Sequence, residues 1–93
     1  MRERDIERRL VKESVQRGGL ALKFVSPGRI GVPDRIVMMP GGKIGFVETK
    51  APGKKLRPIQ ERRIRQMMDM GFKVFVVDSM EQIGGVLDDI RSS

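Results

Sequence analysis

Residues 72–78, FKVFVVD, form a nearly continuous apolar run between two segments of helical periodicity. A strand this apolar leaves no face for water, so the run predicts a central strand covered on both sides. Cover on both sides means layers, a sheet with helices packed against it.

The remaining elements follow from periodicity and from where Gly and Pro fall. At about 100° per residue, residues 3–17 gather Ile6, Leu10, Val11, Ser14 and Val15 in one arc, with Arg8, Arg9 and Lys12 opposite. That pattern predicts an amphipathic helix, stopped by Gly18-Gly19, with Glu7 in the middle of its inward arc. LALKFV (20–25) suits a short strand and is followed by the loop SPGRIG. PDRIVMM (33–39) and KIGFVETK (43–50) alternate as the two strands of a hairpin turned at Pro40-Gly41-Gly42. After the basic loop APGKKLR, Pro58 fits the first position of a helix running to about Met70 and ended by Gly71. Ser79 and Gln82 have capping-box spacing for a last helix reaching about Arg91. Its apolar set is Met80, Ile83, Val86, Leu87 and Ile90, and Gly84-Gly85 weakens it. The expected fold is α/β, a mixed sheet flanked by helices in the order α-β-β-β-α-β-α.

With 93 residues there is room for a single domain, 1–93, with a thin core that a partner subunit would reinforce. Met38, Met67 and Met70 are expected in that core as gap fillers, and Met39, Met68 and Met80 at a subunit contact. No apolar run approaches the ~20 residues that span a bilayer. The charged start MRERDIERRL has no apolar centre of the kind a signal peptide carries. A soluble, cytoplasmic protein is the expectation.

Nineteen Lys and Arg against twelve Asp and Glu give a formal charge of +7, pointing to a polyanionic partner such as nucleic acid. The charge is uneven. Seven cations (Lys50, Lys54, Lys55, Arg57, Arg62, Arg63, Arg65) lie between residues 50 and 65 with only Glu61 opposing them, so one side of the molecule should be strongly positive. Lys54, Lys55, Arg57, Arg62 and Arg63, with Arg29 of the SPGRIG loop, are the candidate DNA-binding residues. The chain has no His, Cys, Tyr or Trp. That excludes soft or imidazole zinc sites, His general bases, Cys and Tyr nucleophiles, and base stacking on Tyr or Trp. Catalysis would have to rest on carboxylates, Lys, Ser or Thr and a hard, oxygen-liking ion such as Mg²⁺.

One constellation meets that description. In 43–50 the period of two puts Ile44, Phe46, Glu48 and Lys50 on one face, with Glu48 and Lys50 roughly 6.6 Å apart along the strand. On the partner strand Asp34 shares a face with Ile36 and Met38, and positions 34 and 48 lie six or seven residues from the turn. Two carboxylates and an ammonium therefore converge at one end of a hairpin, and Glu7 is a third carboxylate that could join them. Carboxylates gather a divalent cation that polarises a phosphoryl oxygen and acidifies water, and an ammonium offsets charge building on the phosphate. Clustered acids would repel one another without such a cation. Gln60 falls in the inward arc of the 58–70 helix with Leu56, Ile59, Met67 and Met70.

GVPDRIVMM, FVETKAP and the downstream LRPIQ together resemble the PD-(D/E)xK nuclease superfamily, and more narrowly the virus-type replication-repair nuclease (VRR-NUC) domain. The similarity runs from Glu7 to the strand at 72–78. It implies a restriction-endonuclease-like core in which Asp34 and Glu48 ligate Mg²⁺ or Mn²⁺, with the Thr49 carbonyl as a further ligand. It also implies that Lys50 serves the water and that Glu7 and Gln60 complete the site. Arg57 departs from the pattern, standing where a Ser or Thr helix cap is expected. The free-standing form is similar to phage and bacterial members, which resemble archaeal Holliday junction resolvases in activity and dimeric organisation. The expected function is thus a structure-selective DNA endonuclease, a homodimer acting on four-way junctions. A nuclease of the same chemistry acting on flaps or duplex, and a non-catalytic DNA-binding module, are the rivals.

Overall fold

A computed structural model describes all 93 residues. In chain order the elements are α1 (Glu3–Gln16), β1 (Leu20–Lys23), β2 (Arg35–Met39), β3 (Lys43–Thr49), α2 (Pro58–Asp69), β4 (Val74–Val77) and α3 (Glu81–Ser92). This is the α-β-β-β-α-β-α order that the periodicities predict. The strands form one mixed sheet, β1-β2-β3-β4. The first three strands pair antiparallel, and β4 joins β3 in parallel after crossing over through α2.

The β2–β3 hairpin is set by its turn. Met39 pairs with Lys43, leaving Pro40, Gly41 and Gly42 as the connection. Gly41 and Gly42 have φ of 86° and 74°, which side-chain-bearing residues rarely adopt.

Strand alternation then sorts the sheet into two faces. On one, Ala21, Val37, Met39, Val47 and Val77 pack against Ile6 and Leu10 of α1 and Ile83, Leu87 and Ile90 of α3. Here α3 lies so close over β3 that a Cβ on Gly45 would come within 2.7 Å of the Ile90 side chain. On the other face only α2 packs, setting Ile64 and Met67 against Phe46 and Val74, with Phe24, Ile36 and Leu56 around them.

Two helices on one face and one on the other account for several departures from the sequence reading. β4 is an edge strand, not a central one, because it ends the sheet and pairs with β3 alone. Val74 and Val77 are buried beneath opposite layers, but Val76, on the α2 side, is 40% exposed. With four residues, β4 offers only a short row of unpaired backbone groups. Met39, expected at a subunit contact, is buried under the two-helix layer, whereas Met38, expected in the core, is 41% exposed where α2 does not reach. Met70 is exposed beyond the end of α2, Met80 packs against the core, and Met67 is buried as expected. Val15 is exposed near the end of α1. At α3 the capping box is half formed. Gln82 Oε1 accepts the amides of Asp78 and Ser79, and the helix starts from Met80 without a side-chain cap. No helix is long and apolar enough to cross a membrane.

Candidate active site

Asp34 and Glu48 meet at the end of the hairpin away from its turn. Arg35 pairs with Val47, so the next residues outward, Asp34 and Glu48, stand across from each other on the α2 side of the sheet. Thr49 orients Asp34 by donating both its amide (3.2 Å) and its hydroxyl (3.0 Å) to Asp34 Oδ2. This role of Thr49 is not legible in the sequence, where a β-branched residue next to a charged one reads as ordinary strand.

Glu48 is 2% exposed. Its Oε2 accepts Gln60 Nε2 at 3.0 Å and lies 3.5 Å from Lys50 Nζ. Its Oε1 is buried and has no hydrogen-bond partner. Burial pushes the Glu48 carboxyl up to about 7, the nearby Asp34 charge adds to the rise, and Lys50 opposes it.

Gln60 reaches this carboxylate from the first turn of α2. Pro58 opens the helix, and Gln60 shares its buried side with Ile64 and Met67. The Gln60 Oε1 accepts the Arg57 amide at 2.9 Å. The side chain of Gln60 thus supplies from within the helix the cap that Arg57 lacks, and its amide nitrogen is turned to Glu48.

A buried, unbonded carboxylate oxygen is costly unless something of opposite charge meets it. Glu48 Oε1, with Asp34 close enough to repel Glu48, fits a hard divalent cation. Oxygen donors are the right class for such an ion, and the chain offers no His or Cys alternative.

Glu7 stands apart from this set. Its carboxylate accepts Arg35 Nε at 2.9 Å, and Arg35 also donates to the Ala21 carbonyl at 3.1 Å. Arg35 alternates with Asp34 and so points to the α1 face of the sheet. The acid drawn inward on α1 is held there, and no group of three acids is close enough to share an ion.

The candidate DNA-binding residues divide into two groups. Lys54, Lys55 and Arg57 are exposed in the segment leading into α2. Arg29, Arg62 and Arg63 come together with Arg65, Gln66 and Asp69 around a cleft of about 410 Å³. The loop carrying Arg29 is pressed onto α2. Gly31 has φ 86°, a Cβ there would lie 2.7 Å from the Ile59 carbonyl oxygen, and Arg63 Nε donates to the Ile30 carbonyl at 3.1 Å. The loop delivering Asp34 is thereby fastened to the helix delivering Gln60.

Comparison with known proteins bears on the family and the fold. The family model of the VRR-NUC domain matches residues 2–81. A protein of Acyrthosiphon pisum secondary endosymbiont phage 1 named "Putative nuclease p44" is 53% identical over 81 residues, 87% of this chain and 87% of that protein. A solved VRR-NUC domain superposes with a TM-score of 0.85 at 33% identity, covering 92% of this chain and 94% of the other.

Proposed function

This chain belongs to the VRR-NUC domain family, and on that premise we propose that it is a divalent-metal-dependent DNA endonuclease, homodimeric and selective for four-way junctions. The observation carrying the reading is the buried Glu48 Oε1, without a partner on a carboxylate whose other oxygen is met by Gln60 and Lys50. Glu48 and Asp34 would hold Mg²⁺ or Mn²⁺, with the Thr49 carbonyl as a further ligand. The ion supplies Lewis-acid polarisation of the phosphoryl oxygen and acidifies water.

The chain's own groups do the rest. Gln60 and Lys50 fix Glu48 from one side of its carboxylate, leaving Oε1 free to act. Thr49 holds Asp34 Oδ2. The Lys50 ammonium orients the water and offsets charge accumulating on the phosphate. In the reaction the water oxygen bonds to phosphorus, one bridging P–O bond breaks, and the departing oxygen leaves with a proton. Glu7, which the family resemblance would add to the metal site, is paired with Arg35 on the α1 face instead.

The junction and dimer assignments follow from family likeness and from symmetry. One chain carries one Asp34–Glu48–Lys50 set, and a twofold dimer supplies two sites related as the opposed strands of a junction are. The test is cleavage of linear duplex, flap, fork and four-way junction with Mg²⁺, with Mn²⁺ and in EDTA, with light scattering on the same samples. Paired metal-dependent cuts in the junction by a dimer are expected. A monomer that cuts flaps and spares junctions would overturn the substrate and assembly assignments. Absence of cleavage with either ion would leave a DNA-binding module.

A further inference from the structure

Three of the chain's four phenylalanines meet on the α2 face of the sheet. The Phe24 and Phe46 rings are 5.4 Å apart, and Phe72 stands edge-on to Phe46 at 5.8 Å. Phe46 is buried, but Phe72 is 45% exposed. With Met67 and Met70 these rings line an apolar cleft of about 370 Å³. Arg29, Arg63 and Gln66 line this cleft and also line the arginine cleft beside it. The two clefts are neighbours across that shared wall and are taken together as one groove, aromatic at one end and cationic at the other.

Each end narrows the choice of occupant. Arg29, Arg62 and Arg65 make no ion pair with any acid of the chain, and Asp69 is the single carboxylate in the cationic end. An apolar peptide segment is poorly matched to that charge, and a free phosphate makes no use of the rings. A nucleotide carries both an anion and a flat π-face. Its base reaches an aromatic cleft only when unstacked and unpaired, and stacking on such rings tolerates any base. Gln66 stands between the two ends with its Oε1 taken by Arg63 at 2.6 Å, which leaves its amide nitrogen as a donor for a base edge.

The candidate active site lines neither cleft, but it lies a short way along the same strand and helix. Phe46 and Glu48 share a strand face, roughly 6.6 Å apart. Gln66 follows Gln60 by six residues of helix, about 9 Å. These are spans of roughly two or three nucleotides at the 3.4 Å rise of a stacked strand.

We infer that this groove holds one unpaired nucleotide of the DNA, its base against Phe24 and Phe72 and its phosphate on Arg29, Arg62 and Arg65, a few nucleotides from the bond at Glu48. This rests on the reading that DNA is the substrate. It adds that the enzyme detects branch points by capturing a base that leaves its pair at the crossover.

The test is equilibrium binding in EDTA, where no cleavage contributes. The probes are a paired duplex, the same duplex with a one-nucleotide bulge of 2-aminopurine, and the bulge made abasic. Wild-type protein should bind the 2-aminopurine bulge about 5- to 150-fold more tightly than the abasic bulge, the range for loss of one stacked base, and should quench its fluorescence. Phe72→Ala should erase that difference and leave paired duplex unaffected, and Phe72→Leu, which keeps apolar volume without the ring, should do the same. Arg62→Ala with Arg65→Ala should weaken binding of the bulged probe and lower its salt dependence. Equal wild-type affinity for base-containing and abasic bulges would overturn the inference, whatever the variants' stability. So would Phe72→Ala changing the oligomeric state while the bulge preference persists, which would place a second copy of the chain in the groove. Failure to cleave DNA with any divalent ion would remove the nuclease reading and leave this binding result standing.

Discussion

Gln60 donates its amide to Glu48 Oε2 at 3.0 Å and has only one orientation in which to do so, because its own Oε1 is taken by the Arg57 amide. One side chain joins the start of α2 to the buried carboxylate. Gln60→Ala breaks both bonds. Loss of the helix-start contact should cost about 0.5–2 kcal/mol of stability, and loss of a hydrogen bond to a charged group about 1.5–3 kcal/mol at the site. Metal-dependent cleavage should therefore fall roughly 10- to 150-fold while circular dichroism stays native. Gln60→Glu, which faces Glu48 with a second acid, should be worse and should shift the pH–rate profile to higher pH. Equal activity of both variants and wild type would remove Gln60 from the site.

Glu48→Gln keeps the shape of the side chain and removes its charge. Cleavage should drop by about 10³-fold or more, since charge stabilisation and water activation are lost together. DNA affinity in EDTA should hold or rise, one negative charge having gone. Cleavage with Mg²⁺ near the wild-type rate would refute the placement of the active site.

The same residue makes stability depend on pH. The Glu48 carboxyl has an ordinary value of 4.5 and titrates near 7 in the folded chain, so the fold binds this proton more tightly than the unfolded chain does. Its contribution is complete below about pH 4.5 and is lost as pH rises through 7, a change on the order of 3 kcal/mol. In EDTA, the melting temperature of wild type relative to Glu48→Gln should fall between pH 5 and pH 8. Mg²⁺ should restore it at pH 8 and do little at pH 5, where the proton already occupies the carboxylate. A wild-type advantage that grows with pH in EDTA would contradict the sign.

Lys54 and Lys55 are exposed beside the start of α2, where their cations can meet backbone phosphates without reading bases. Replacing both with Ala should flatten the slope of log affinity against log salt by about 1.8 on paired duplex, at about 0.9 per phosphate contact. The change should be the same for every sequence. An unaltered slope would mean that this segment points away from DNA.

Gly31→Ala puts a side chain where φ is 86° and where its Cβ meets the Ile59 carbonyl oxygen at 2.7 Å. The backbone strain alone is worth about 1–3 kcal/mol, and each kcal/mol lowers the melting temperature of a domain this size by about 4–8 °C. Cleavage should fall further than stability does, because the displaced loop carries Asp34 and the displaced helix turn carries Gln60. Wild-type activity in a folded Gly31→Ala protein would show that the two need not be held together.

How far the sequence alone reaches depends on the range of the interaction involved. The hairpin was readable because its turn and its alternation are local, and alternation also placed Asp34, Glu48 and Lys50 on a common face. Helical spacing similarly gave Gln60 an inward position. Sheet order was not readable. The apolar run at 72–78 resembles a central strand, yet β4 closes the sheet, and an edge strand buried by helices at both ends of its span has much the same composition. The exchange of Met38 and Met39 between core and surface has the same origin, since alternation says that they face opposite ways but not which layer is thicker. Glu7 shows another limit. Its inward arc is real, but the element it meets first is Arg35, a partner 28 residues away whose direction only the paired sheet reveals. The phenylalanine groove depends on the residue after β1, a residue of β3, the segment before β4 and the end of α2 meeting, which no periodicity encodes.

The turn at Pro40, Gly41 and Gly42 lies at the opposite end of the hairpin from the two acids, between the pair Met39 and Lys43. From there to position 48 is five residues, roughly 17 Å of strand. The turn touches nothing in the site, yet its length determines which residue stands across from Glu48. Deleting one turn residue leaves the strands two choices. They slip by one position, sending a carboxylate to the wrong face of the sheet, or they absorb the change as a bulge that bends the ladder before it reaches Asp34. Along a lineage this connection should therefore tolerate substitution within its glycine requirement and resist single-residue insertion or deletion. It serves the enzyme as a ruler does, by its length.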